Sequence, residues 1–189
     1  GMTFGLYAGG NMTNNYIANH VRTDADYVIP NSGGLTIGEG SRFTKPENMD
    51  GYWRVNAGTN FGMPIIFLKS NLNLNLGGNY GKSPSMMDEI VTLTDTRSVN
   101  GRITLSSNIS ENIDFTLSYG GRYEVSDYTS DSSSAIVQTG NKLFEQDGTA
   151  TLKWVFWKGI TFTANASYRN IYRPTQETRE EYLVCNALI

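Results

Sequence analysis

Apolar and polar residues alternate with a period of two along most of the chain. From Ile113 to Val125 every odd position is apolar, aromatic or Gly, and every even position is polar or Gly. That pattern describes a strand with one face in an apolar medium and the other in water. It is about twice the mean strand length of globular proteins. The same alternation runs from Ile160 to Tyr172, from Val99 to Ile109 and from Leu68 to Leu76. Fainter strands cover 3–9, 16–23, 52–61, 147–157 and 180–189, which makes nine. Segments 97–109 and 113–126 are expected to form a hairpin closed at Ser110-Glu111-Asn112. Segments 147–157 and 160–172 form another, closed at Lys158-Gly159.

Connections alternate in length. Short turns are predicted at Gly62-Met63-Pro64, at Ser110-Glu111-Asn112 and at Lys158-Gly159, with a looser one from Gly10 to Asn15. Longer polar links are predicted at 24–51, 81–96, 127–146 and 173–179. Turns at one end and loops at the other is the plan of an outer-membrane barrel, turns in the periplasm and loops outside the cell. The expected fold is therefore all-β: an antiparallel up-and-down meander or β-barrel of about 8–10 strands, one domain over 1–189, cut from a larger barrel.

Composition agrees. Only 17% of residues are charged, 12% are aromatic, and there are 20 Gly and 11 Tyr, which suits sheet rather than helix. With 15 basic and 18 acidic residues the net charge is −3, which gives no basic face for nucleic acid. No apolar run reaches the length of a transmembrane helix, and no signal peptide opens the chain. Gly1 before Met2 reads as a tag scar, so an excised piece of a bacterial outer-membrane protein is expected. The final run Cys185-Asn186-Ala187-Leu188-Ile189 lacks the terminal aromatic of bacterial barrels, so the parent is expected to continue.

The faces give candidate roles. Trp53, Tyr119, Tyr123, Trp154, Trp157, Tyr168 and Tyr172 are candidates for aromatic girdles at the membrane interfaces. Asn71, Asn73, Asn75, Arg102, Arg122 and Arg169 are candidates for a polar lumen, suited to a hydrated wall or polar solutes.

The phrases Phe61-Gly62-Met63-Pro64-Ile65, Leu68-Lys69-Ser70-Asn71-Leu72-Asn73-Leu74, Tyr80-Gly81-Lys82-Ser83-Pro84, Ser106-Ser107-Asn108-Ile109-Ser110-Glu111-Asn112-Ile113-Asp114-Phe115 and Trp154-Val155-Phe156-Trp157-Lys158-Gly159 carry a resemblance. They look like the C-terminal barrel of outer-membrane receptors of Bacteroides-type bacteria, which resemble TonB-dependent transporters. The resemblance runs from about residue 50 to the end and extends to residue 3. It implies outer-membrane lipid as surroundings and a transport-receptor role. It also implies an energy-transducing periplasmic partner, engaged through parts of the parent absent here. Family members carry an N-terminal sandwich and a plug, and neither these nor a TonB-box-like segment is visible.

Chemical signatures are missing. One His, His20, and one Cys, Cys185, supply no catalytic triad, thiolate cage or His-rich metal site. No nucleophile elbow, phosphate loop or zinc motif occurs. Glu124, Asp127 and Asp131 lack the spacing of a calcium loop. No enzyme, cofactor or metal is expected. Two other classes share the alternation: a soluble lipocalin-like barrel around a small lipophilic ligand, and an adhesin-like structural barrel. In water, the excised sheet is expected to curl with Ile103, Leu105, Phe115, Leu117, Phe162 and Ala164 inward and Arg102, Arg122 and Arg169 toward solvent.

Overall fold

The computed structural model describes residues 1–23, 26–107, 112–130, 140–157 and 159–189. Among them the chain forms ten strands and no α-helix. In chain order they are β1 (Thr3–Thr13), β2 (Tyr16–Arg22), β3 (Phe43–Met49), β4 (Tyr52–Ile65), β5 (Ser70–Met87), β6 (Ile90–Ser107), β7 (Ile113–Ser130), β8 (Lys142–Phe156), β9 (Ile160–Arg173) and β10 (Thr178–Leu188). One sheet runs β1-β4-β5-β6-β7-β8-β9-β10, antiparallel throughout, and is open at both edges. The β2–β3 hairpin, which follows β1 and precedes β4 along the chain, lies off this path and leans on the tip of β5 through a two-residue parallel pairing. The fold is the expected all-β antiparallel meander.

Both expected hairpins pair in register, β6 with β7 and β8 with β9. Residues Ser110 and Glu111 of the first turn and Lys158 of the second lie outside the described residues, as do 131–139 of the link at 127–146 and residues 24–25 of the link at 24–51.

The strands are longer than the alternation suggests, and three connections move as a result. The turn placed at Gly62-Met63-Pro64 lies further on. β4 continues through Ile65, and the reversal is a 3-10 turn over Ile66–Leu68 closed by Lys69 at φ 43°. The link at 81–96 is strand on both sides of a two-residue turn at Asp88-Glu89, with φ of 46° and 67°. Two successive positive φ values define the mirror-image turn that matches strand twist. The link at 173–179 is a 3-10 turn over Pro174–Gln176, so Thr178 already pairs with Arg173. The looser turn of 10–15 is likewise narrower, because β1 runs to Thr13 and β2 starts at Tyr16. The tenth strand, β3, lies inside the long 24–51 link. Pro46 cannot donate to a ladder, and β3 is indeed paired on one side only, with β2.

The eight strands of the main sheet are staggered. The row Ala8–Ala57–Gly78–Val99–Tyr123–Phe144–Tyr172–Arg179 crosses every one of them. Above it β1 continues to Thr13, whereas β10 continues only to Thr178. The two edge strands are thus offset by four residues. Offset of this kind tilts strands relative to the axis of a curved wall, the geometry that barrel closure requires.

The sheet is a single layer with no core beneath it. The buried apolar residues among those described are Ala18, Ile37 and Met49, all in the 14–51 insertion. The accessible surface is 12777 Å², against roughly 9,000 Å² for a compact soluble protein of this mass. The sheet does not close around the apolar residues expected to turn inward, although that face holds concave patches of about 900 and 430 Å³. Ile103 and Leu117 are 45% and 47% exposed, and Leu105, Phe115, Phe162 and Ala164 are only half-buried. Arg102, Arg122 and Arg169 are exposed, and each is also held by a carboxylate on its own face.

Candidate functional site

Cross-strand partners share a face, so the register sorts every wall side chain onto one of two surfaces. One surface is apolar. A representative row is Phe4–Phe61–Leu74–Ile103–Tyr119–Gly148–Tyr168–Leu183, and the next is Met63–Leu72–Leu105–Leu117–Ala150–Ala166–Cys185. The other surface is polar, with rows such as Asn73–Thr104–Ser118–Thr149–Ser167 and Asn75–Arg102–Gly120–Asp147–Arg169. All six lumen candidates, Asn71, Asn73, Asn75, Arg102, Arg122 and Arg169, fall on this polar surface.

The apolar surface has sharp limits. On β5 it spans Leu72 to Tyr80, nine residues, within the 9–11 that a tilted transmembrane strand needs. Immediately above, the row Trp53–Lys82–Asp95–Asp127 is charged, with Lys82 and Asp95 paired at 3.6 Å. On β8–β10 the first polar row comes lower, at Gln146–Asn170–Glu181. There Asn170 donates to the Tyr168 hydroxyl, which donates to Glu181, both at 3.1 Å. The boundary therefore steps down toward β10 in the same sense as the strand offset.

Six of the seven girdle candidates stand on the apolar face, at four levels. Trp53 marks the upper charged row and packs edge-on against Tyr80 at 4.8 Å. Tyr123 and Tyr172 share one row below the upper ends. Trp154 lies low on β8, 5.1 Å from Phe156, and the seventh candidate, Trp157, follows in the turn and is exposed. Tyr119 and Tyr168 stand in mid-strand instead: β7 runs on from Tyr119 to Ser130, and β9 from Tyr168 to Arg173. They flank Gly148, where a Cβ would sit 3.5 Å from the Tyr119 ring.

The polar surface is organised by cross-strand ion pairs. Arg102 on β6 reaches over β7 to Asp147 on β8 at 2.6 Å and also donates to Ser118 at 3.0 Å. It crosses at Gly120, where a Cβ would lie 3.0 Å from the guanidinium and 3.1 Å from the carboxylate. Glycine there lets a bridge span three strands. Arg122 pairs with Glu124, and Arg169 on β9 with Glu145 on β8. Two adjoining clefts, about 250 and 350 Å³, lie along this face, and Arg54, Asn79 and Arg122 line both. Arg54 was not singled out from the sequence, although Tyr52, Arg54, Asn56, Gly58 and Asn60 alternate in phase with the polar face.

The loop end carries a latch. The β2–β3 hairpin meets the β5–β6 tip through Thr23, whose backbone N–H and hydroxyl donate to Asp88 at 2.7 and 2.5 Å, and through an Arg22–Glu89 pair. Tyr16 stacks on Tyr52 at 4.2 Å. His20, 2% exposed, bonds Glu47 through Nδ1 at 2.5 Å, an internal hairpin contact rather than a lumen wall. Among the described residues no cluster of metal-ligating side chains surrounds it. Bonds from His20 and then Lys45 hold the Glu47 carboxyl below the usual range, and Arg22 does the same for Glu89. A lowered folded-state value stabilises the docked hairpin above the ordinary carboxylate range and is lost as pH falls through the lowered value. We expect the hairpin amides to stay protected at about pH 5 and to lose protection below about pH 4. Hydrogen exchange, corrected for intrinsic rates, checks this, and Glu47→Gln should weaken docking already at neutral pH.

The geometry defines a class: a one-layer antiparallel wall with an apolar face, a polar ion-paired face and the β2–β3 insertion at one end. No protein-family model, curated protein or solved structure matches the chain.

Proposed function

We propose that the chain is a wall segment of a bacterial outer-membrane β-barrel, with its apolar face in lipid and its polar face lining an aqueous passage. The observation that carries this reading is the pair of uncovered faces of opposite chemistry, the apolar one bounded by charge after about nine residues. A soluble sheet buries such a face against a second layer. A membrane barrel leaves it to the acyl chains and keeps its interior polar. The exposed edges at β1 and β10 are where further wall strands add, since an unpaired edge recruits strands.

Within that reading the polar face serves transport of a polar solute, and the β2–β3 hairpin and the β5–β6 tip form part of the outer rim. The TonB-dependent-receptor resemblance adds an energy-transducing periplasmic protein as a partner, reached through other parts of the parent. The test is to place environment-sensitive probes on the two faces of the chain folded in vesicles. Probes on the apolar rows should answer to quenchers in lipid, and probes on the polar rows to quenchers in water.

A further inference from the structure

Resting on that wall reading, we infer that the polar face holds an anion subsite centred on Arg54, which takes a carboxylate or phosphate group of a water-soluble solute. Arginines on this face are otherwise matched: Arg102 with Asp147, Arg122 with Glu124, Arg169 with Glu145 and Arg173 with Glu180. Arg54 is the exception among the described residues. Its Nη2 donates to the neutral Asn79 Oδ1 at 3.1 Å, and no carboxylate reaches it. Asn79 is itself anchored, its Nδ2 donating to the buried Ser98 hydroxyl at 3.4 Å. Arg54 is thereby aimed by a relay from β4 through β5 to β6, while most of its donors stay uncommitted.

The space around it is bare for a steric reason. Directly across from Arg54 is Gly81, where a Cβ would come within 2.8 Å of the Trp53 carbonyl and 3.2 Å of Arg54 Cα. A side chain cannot stand there, so one flank of the guanidinium faces the cleft. Arg122 lines the same cleft two rows below Arg54, beside its direct cross-strand partner Asn100. A guanidinium fork matches the two oxygens of a carboxylate or phosphate. The neighbouring acids are already committed to other arginines, so they repel an incoming anion less than free carboxylates would. A solute moving along this wall meets at Arg54 a guanidinium that no carboxylate holds, beside neutral amides and closed ion pairs.

The test uses the full chain folded in detergent micelles, titrated with citrate and with inorganic phosphate at low salt and followed by calorimetry. Wild type should bind both, with binding weakened by added chloride. Arg54→Gln should lower affinity by about tenfold or more, the loss of charge-assisted bonds. Arg54→Lys should fall between, keeping the charge but not the fork. Arg179→Gln, on the opposite face, should bind as wild type does. Equal affinity in Arg54→Gln and wild type, or no binding of either anion by a folded chain, overturns the subsite. So does an Arg54-dependent response confined to a micellar short-chain phosphatidic acid, which assigns the site to a lipid headgroup. These outcomes leave the wall reading standing. That reading fails separately, on which face meets lipid.

Discussion

Arginine in place of Leu117 should cost the folded chain about 2–4 kcal/mol in a bilayer, the penalty of a lipid-facing cation near mid-depth. Leu117 stands on the row Leu72–Leu105–Leu117–Ala150–Ala166, well below the charged row at Asp127 and above the strand end at Ile113. It is half exposed, so in water the substitution meets no packed neighbours and removes little. The cost comes from lipid. Thr151→Arg, one level away on the opposite face, should cost less than about 1 kcal/mol, because a lumen side chain keeps its water. Urea titration of the chain folded in vesicles, followed by tryptophan fluorescence, reads both. Equal penalties at the two positions would refute the assignment of faces.

The second large effect concerns Gly58, where β-propensity and packing point in opposite directions. Strand propensity alone favours Val over Gly by up to about 1 kcal/mol. In the sheet, a Cβ on residue 58 would lie 2.4 Å from the Tyr7 hydroxyl and 2.6 Å from the Leu76 carbonyl. The tyrosine can swing away. The carbonyl belongs to β5 and cannot move without shifting the strand. Gly58→Val should therefore destabilise by about 1–3 kcal/mol, the range of overpacking that moves backbone. Adding Tyr7→Ala should restore only part of the loss, because the carbonyl contact remains. The same urea titration measures it, and a stabilised Gly58→Val would show that β4 and β5 do not pair in this register.

The wall strands were legible where one face is apolar and the other polar. Ile113 to Val125 alternates without a break, and that is the stretch where the apolar band crosses β7. Above the band the signal vanishes. Residues 81–96 mix polar and apolar residues on both faces, with Lys82 and Asp95 on one and Met87 and Ile90 on the other, so no period of two marks a strand there. The reversal at Asp88-Glu89 hid as well, since it lacks the Asn-Gly or Asp-Gly pair that marks such turns. β3 is masked by Lys45, Pro46 and Glu47, whose charges are satisfied by the hairpin rather than by an apolar face.

The face of each candidate residue could be read from parity, and the polar set came out together for that reason. Partners could not. Arg102 meets Asp147 across an intervening strand because Gly120 lies between them, and Arg169 meets Glu145 on β8. Both depend on register, which period-two alternation leaves open to slips of two residues. Aromatic levels failed for the same cause: Tyr119 looked terminal until β7 proved to run on to Ser130.

The central claim is that the apolar face of this sheet meets lipid and the polar face meets water. It is tested most directly with single cysteines on a Cys185→Ser background at Leu105, Leu117 and Ala150, and at Asn73, Thr104 and Thr151, each carrying a small fluorophore in vesicle-folded protein. Brominated acyl chains should quench the first three probes and leave the second three bright, and aqueous iodide should do the reverse. Quenching of the Asn73, Thr104 and Thr151 probes by lipid, or of all six by iodide alone, would contradict the account.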